Sequence, residues 1–159
     1  MKKFLIIMLL SCLGGTAMAQ GQIFDKYEDQ KGVETVYVSK SMLGLISKLA
    51  DGGAVKDKKY GEIAKYGKRL DLIRTLACEQ SALAKKIYVD VSNLLKDKSF
   101  ETLVREKSDG EETLICLRED GGKSHYLVCD YDGQEINLVY IVGDLKLEDI
   151  SAIAASGMK

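Results

Sequence analysis

The sequence predicts an α+β domain with a largely antiparallel sheet that ends in a four-stranded meander, with helices packed on one face and a C-terminal helix. Four short strand-like runs follow one another over residues 100–143, and Asp-Gly pairs separate them. Such pairs between alternating runs are the strongest short-range signal for hairpins. Before these runs, stretches with helical spacing of apolar residues alternate with strand-like stretches. Helices grouped beside an antiparallel sheet are typical of the α+β class.

Residues 23–32 are expected to form a short helical lead-in or an irregular arm before the first strand. The stretch 33–39 is β-branched and aromatic, as strands are. Ser39 or Ser41 is suited to cap a helix that Asp51-Gly52-Gly53 then ends. The spacing i, i+3, i+4, i+7 predicts the buried face of this helix: Met42, Leu45, Ile46 and Leu49.

The middle of the chain is predicted to alternate connection, strand and helix. Residues 54–69 are charged and broken by glycine, so they are expected to be a surface connection, whereas the apolar residues 70–78 are expected to be a strand. A helix is predicted over residues 81–96. After the meander, residues 144–157 are expected to form a final helix that Asp144 caps.

Residues 1–19 are predicted to be a signal peptide. Two lysines precede a short apolar run, and Ala17-Met18-Ala19 places small residues at the two positions that define a cleavage site. We therefore expect the mature protein to be a single domain over residues 20–159, exported to the periplasm or the cell exterior. In an alternative interpretation, cleavage before Cys12 gives a lipoprotein that is anchored through this cysteine.

Charge and composition argue against several classes of partner. Removing the two lysines of the leader from the 23 basic residues leaves 21 against 24 acidic residues, a net charge of about −3. Charges of both signs are interspersed without a basic stripe, so nucleic acid is not expected as a partner. No second apolar run approaches the roughly twenty residues of a membrane helix, so no transmembrane segment is expected in the mature chain.

Two stretches of the chain are similar to a known family. The first is FDKYEDQKGVETVYVSKSML at residues 24–43. The second begins with FETLV at residues 100–104, continues through the predicted hairpins and ends with IVGDLKLEDISAI at residues 141–153. The residues that carry the similarity in the first stretch are aromatic, small or apolar for the most part: Phe24, Tyr27, Gly32, Val33, Val36, Tyr37, Ser39, Lys40 and Met42. The pattern resembles the domain of unknown function 4252 family, small exported proteins of Bacteroidetes-type bacteria. The resemblance implies an envelope protein of unassigned activity and brings no catalytic residues.

The only histidine, His125, lies between Cys116 and Cys129. Thiolate and imidazole ligate zinc, but a structural site takes four ligands and the C-x2-C spacing is missing, so no metal site is predicted. A two-residue loop at Gly121-Gly122 makes the two cysteines diagonal neighbours on one face, about 7–8 Å apart. That separation exceeds the roughly 6.8 Å between Cα atoms that a disulfide bridges.

We therefore expect both cysteines to point into the core as small apolar residues. On the next hairpin, the Asp132-Gly133 turn is expected to pair Tyr131 with Gln134 and so to place His125 opposite Tyr140. An alternative function is a thiol- or metal-dependent protein that uses Cys116, Cys129 and His125, with Cys78 as a further thiol.

No catalytic constellation is recognised in the sequence. A serine or cysteine nucleophile needs a base and an orienting group, and the chain has one histidine and no G-x-S-x-G elbow. We expect a non-enzymatic binding module without a cofactor, whose partner is another envelope protein or a small ligand. The candidate binding surface is aromatic: Phe24, Tyr27, Tyr37, Tyr60 and Tyr66. The alternative is that two or three of these side chains pack the N-terminal arm against the core.

Overall fold

The computed structural model describes residues 19–54, 58–96 and 99–151. The strands are β1 Val33–Ser39, β2 Leu70–Cys78, β3 Glu101–Ser108, β4 Glu111–Asp120, β5 Lys123–Tyr131 and β6 Ile136–Gly143. The helices are α1 Ala19–Tyr27, α2 Lys40–Asp51, α3 Lys58–Tyr66 and α4 Ser81–Leu94, and residues 147–151 are also helical. The strands form one antiparallel sheet in the order β1-β2-β6-β5-β4-β3. The predicted α+β class and the meander β3 to β6 are confirmed.

The two faces of the sheet carry separate cores. The first core lies under α1 and α4, where Tyr27 and Ile87 pack with strand residues such as Leu127. The second core lies under α2 and the chain after β6, and it includes Leu43 and Tyr126. Adjacent strand residues point to opposite faces, so Tyr126 and Leu127 belong to different cores.

The helices are therefore divided between both faces of the sheet, whereas the sequence predicts them on one face. The signal for a second core is present in β5 and β6, where residues 126–129 and 138–142 are continuously apolar. Such runs are typical of strands that are buried on both faces.

Two of the helices differ from the prediction. The expected surface connection contains α3, whose apolar residues Ile63 and Tyr66 pack against the second core; this pattern is too short to have a clear period in the sequence. The final helix begins at residue 147, and its predicted residues 152–157 lie outside the described part of the chain. Its first turn is capped by Asp149, which accepts from Lys146 N at 2.8 Å, instead of Asp144.

The registers of the two last hairpins show what each turn dictates. Gly121 and Gly122 have φ of +58° and +75°, and this two-residue loop pairs Asp120 with Lys123, as predicted. The second predicted register is wrong, because Tyr131 pairs with Ile136 and His125 lies opposite Val142. The physical reason is Asp132, whose Oδ1 accepts from Gln134 N at 2.8 Å and Glu135 N at 2.7 Å and stabilises a longer turn.

Candidate interaction surface

The aromatic residues of the predicted binding surface are not brought together. Phe24 and Tyr27 are buried in the first core, which is the packing role that the sequence leaves open. Tyr66 is half-buried against the second core, on the other face of the sheet. Tyr37 is 65% exposed, and the side chain of Tyr60 lies outside the described part of the structure. Of the four candidate aromatic residues whose side chains are described, Tyr37 alone is mostly exposed to solvent.

The buried Tyr27 has a structural role at the junction of α1 and α4. Its Oη donates to Asp90 Oδ2 at 2.6 Å, and Lys26 Nζ lies 2.5 Å from the same oxygen. These two contacts, that of Lys26 first, hold the pKa of Asp90 below its usual range. Tyr27 therefore places its ring in the core and its hydroxyl in a bridge between two helices.

The three cysteines of the described chain are free and buried in the first core. Burial raises the pKa of Cys129 to about 12 and also raises the pKa of Cys116. The thiolate is the reactive form of cysteine, so these two thiols are poor nucleophiles and poor metal ligands. Within the described residues, no group of three or more His, Cys, Asp or Glu side chains is placed to hold a metal ion.

His125 is hydrogen-bonded to Tyr140, with Nδ1 and Oη 2.6 Å apart. Burial, and then the charge of Arg118, lower the pKa of His125, whereas burial raises the pKa of Tyr140 to about 12. Both groups are therefore uncharged near neutral pH. Cys129 lies four residues along the same strand, at a distance of about 13 Å for a rise of about 3.3 Å per residue, so His125 cannot serve it as a base.

Exposed apolar side chains concentrate in one short segment of the chain. Of the eight large apolar residues that are strongly exposed in the described structure, five lie between Val36 and Leu49. We call these five the β1–α2 surface: Val36, Tyr37, Met42, Leu45 and Leu49. The other three are scattered over α4, β3 and the last helical turn: Val89, Val104 and Leu147.

Of the four residues predicted to form the buried face of α2, Met42, Leu45 and Leu49 are exposed to solvent, and Ile46 is half-buried. The buried side of α2 is formed by Leu43 and Ser47. A Cβ at Gly67 would lie 2.6 Å from the carbonyl oxygen of Leu43 and 3.0 Å from Ser47 Cβ, so the chain after α3 packs closely on this side. The prediction of the buried face is therefore wrong for these three residues, because the small polar Ser47 allows a close approach that an apolar stripe does not.

β1 is an edge strand that pairs with β2 alone among the described strands. Val36 and Tyr37 flank its outer edge on opposite faces of the sheet, and both are exposed. Its pairing is regular from Val33↔Cys78 to Ser39↔Leu72, and Glu34 is its single charged residue. Natural sheets usually protect such edges with lysine, proline or a bulge, and β1 has none of these.

None of the described helices is long and apolar enough to cross a membrane.

Comparison with known proteins adds a family assignment. A search of the curated proteins finds no match. The family model described as a domain of unknown function, DUF4252, matches residues 27–153 of the 159. The match runs from the end of α1 to the last helix and includes the β1–α2 surface. The chain therefore belongs to the DUF4252 family.

Proposed function

We propose that the protein is an exported, non-enzymatic binding module of the cell envelope that recognises another protein through the β1–α2 surface. The observation that carries the proposal is the concentration of exposed apolar side chains on an edge strand and the helix that follows it. Exposed apolar surface of this kind marks interaction sites, and one segment of the chain supplies five of the eight strongly exposed apolar residues that are described.

A polypeptide fits the edge of β1 better than a small ligand does. An edge strand presents a row of backbone N–H and C=O groups. An added strand matches this row, and the side chains that alternate along it provide specificity. Val36 and Tyr37 would then contact the added strand on the two faces of the sheet.

The titratable groups of the first core support a non-enzymatic role. The buried thiols have raised pKa values, and the histidine is engaged by Tyr140. These side chains therefore serve packing and hydrogen bonding. The signal peptide that the sequence predicts over residues 1–19 is the basis for proposing export.

A photo-crosslinking amino acid in place of Tyr37, in the native host, tests the binding role. Irradiation is expected to join the protein to a polypeptide partner. The matched control carries the same amino acid in place of Val104, an exposed residue on the opposite edge strand, and is expected to give no adduct. No adduct at position 37, or equal adducts at both positions, would contradict the proposal.

The N-terminus of the protein recovered from the host tests export. The proposal predicts a chain that begins at Gln20 in the envelope fraction. A lipid-modified Cys12 as first residue would keep the envelope location and replace the cleavage site. An uncleaved chain in the cytoplasm would contradict export.

A further inference from the structure

We infer that the partner at the β1–α2 surface is a second copy of this chain, paired antiparallel through β1 about a two-fold axis. The inference rests on the proposed function, because it names the occupant of the same surface. Closed two-fold dimers are the commonest oligomers, and their interface uses the same patch on both subunits. The inferred dimer joins two six-stranded sheets into one continuous sheet.

The sequence of β1 is self-complementary in this arrangement. With the axis at Val36, this residue faces its own copy, Thr35 faces Tyr37, and Glu34 faces Val38. β-Branched and aromatic residues are favourable cross-strand neighbours, and like charges directly opposite each other are unfavourable. Glu34 is the only charge in the strand, so no like charges meet.

A favourable charge contact also crosses the axis. Lys40 of the second copy is the first residue of α2, so it lies just beyond the end of the new strand pair that carries Glu34, and its side chain is 69% exposed. Its ammonium group already pairs with Asp71 at 2.7 Å, so it approaches Glu34 as part of a network. The charges at the ends of β1 thus favour a second copy.

The inferred dimer places the exposed apolar residues of both α2 helices on the same face of the joined sheet. A two-fold axis normal to the sheet leaves equivalent faces on the same side. Both α2 helices then lie on one face, on either side of the axis, and Val36 of each copy points to that face because it shares the orientation of Val38. The apolar stripes of the two helices flank the new strand pair.

The opposite edge of the sheet explains why assembly ends at two copies. β3 carries four charged residues and an irregular register between Thr102 and Val104. Charges and bulges of this kind discourage edge-to-edge pairing. One open edge and one protected edge give a closed dimer, whereas two open edges would give a growing chain.

Sedimentation of the purified mature protein tests the inference with a matched pair of variants. The wild type is expected to be a dimer. Val36→Lys places two ammonium groups opposite each other and is expected to raise the dimer dissociation constant by roughly tenfold or more. Val104→Lys makes the same change at an exposed valine on the same face of the other edge strand, and is expected to leave the dimer intact.

A disulfide tests the register. Val36→Cys is expected to give a covalent dimer under mild oxidation, because the two thiols lie directly opposite each other, and the cysteines of the described domain are buried. Val104→Cys is the control and is expected to stay uncrosslinked.

A wild type that remains monomeric, or a dimer that Val104→Lys disrupts as much as Val36→Lys, would overturn the inference. Crosslinking at Tyr37 in the host separates this failure from failure of the proposed function. An adduct of two copies supports both proposals. An adduct with a different protein supports the binding role and overturns the dimer, and no adduct overturns both.

Discussion

β1 and β3 lie at the two edges of the same sheet, and each turns a row of backbone groups to solvent. β3 has four charged residues among eight, and its register with β4 shifts between Thr102 and Val104. β1 has one charged residue among seven and pairs with β2 without a shift. This fold therefore protects one edge of its sheet from pairing and leaves the other edge open.

The charges of β3 also have a structural use. Arg105 Nε lies 3.2 Å and Lys107 Nζ 4.0 Å from the carboxylate of Glu112 on β4, which is buried. Tyr88 of α4 donates a hydrogen bond to the same carboxylate. The basic residues therefore attach β3 to the rest of the sheet while they protect its edge.

The largest expected effect distinguishes the buried side of α2 from its exposed stripe. Leu43 is fully buried in the second core, and Leu43→Ala is expected to lower the free energy of unfolding by about 2–5 kcal/mol. Leu45 is 48% exposed, so Leu45→Ala in the Val36→Lys background, at a concentration where that variant is dissociated, is expected to cost about 0.5 kcal/mol or less. Urea unfolding measures both values, and equal costs would contradict the orientation of α2.

A smaller effect is expected where β3 joins β4. Glu112→Gln removes the buried charge that Tyr88 and Arg105 contact, and is expected to cost about 1–3 kcal/mol. Arg105 is largely exposed, so Arg105→Ala is expected to cost about 1 kcal/mol or less. Thermal or urea unfolding compares the two variants. A larger cost for Arg105→Ala would mean that the main role of the charges of β3 is to stabilise the fold, and that protection of the edge is secondary.

The stability of the fold is expected to depend on pH through His125, whereas pairing of the β1 edge is not. Burial, and then Arg118, lower the pKa of His125 from its usual value of 6.5. Because the unfolded chain then binds the proton more readily, the contribution of His125 to stability is complete above pH 6.5 and is lost as the pH falls from 6.5 towards the lowered value in the fold.

Urea unfolding of the wild type and His125→Gln across this interval measures that contribution, and the advantage of the wild type is expected to shrink on acidification. His125 lies on the central part of the sheet, on β5. The dimer is therefore expected to persist wherever the protein is folded. Dissociation that follows the titration of His125 in folded protein would contradict the assignment of the interface to β1.

The smallest expected effect on the dimer comes from a single charge on β1, and the same change on β3 is its control. Glu34→Lys replaces the contact with Lys40 of the second copy by a like-charge pair, and is expected to weaken the dimer by about twofold to fivefold. Glu106→Lys makes the same change on β3 and is expected to leave the dimer unchanged. Sedimentation at several salt concentrations measures both, and equal weakening of the dimer would mean that the effect is one of net charge.

Much of the fold is predictable because its signals are local. The alternation of residues and the Asp-Gly turns indicate the meander, and Gly121-Gly122 sets the register of β4 with β5. The register of β5 with β6 was not predictable from the Asp-Gly pair alone, because Asp132 extends the turn by accepting from two backbone amides. The prediction of which residues share a face of the sheet stays correct, because the observed register differs from the predicted one by two residues.

The candidate surface was harder to predict because it depends on strand order and on helix rotation. Periodicity identifies the stripe Met42, Leu45 and Leu49, but it does not say whether this stripe or the side of Leu43 and Ser47 meets the sheet. Tyr37 is the one predicted binding residue whose described side chain lies mostly in solvent. Its exposure follows from the position of β1 at the edge, which depends on contacts that are distant in the sequence.

Hydrogen exchange of the mature protein, at a concentration where it is assembled, reports whether the outer edge of β1 is paired. We expect β1 amides that point away from β2 to exchange slowly in the wild type and faster in Val36→Lys, while outward amides of β3 exchange fast in both. Outward amides of β1 that exchange as fast as those of β3 in the assembled wild type would mean that the dimer does not pair through β1.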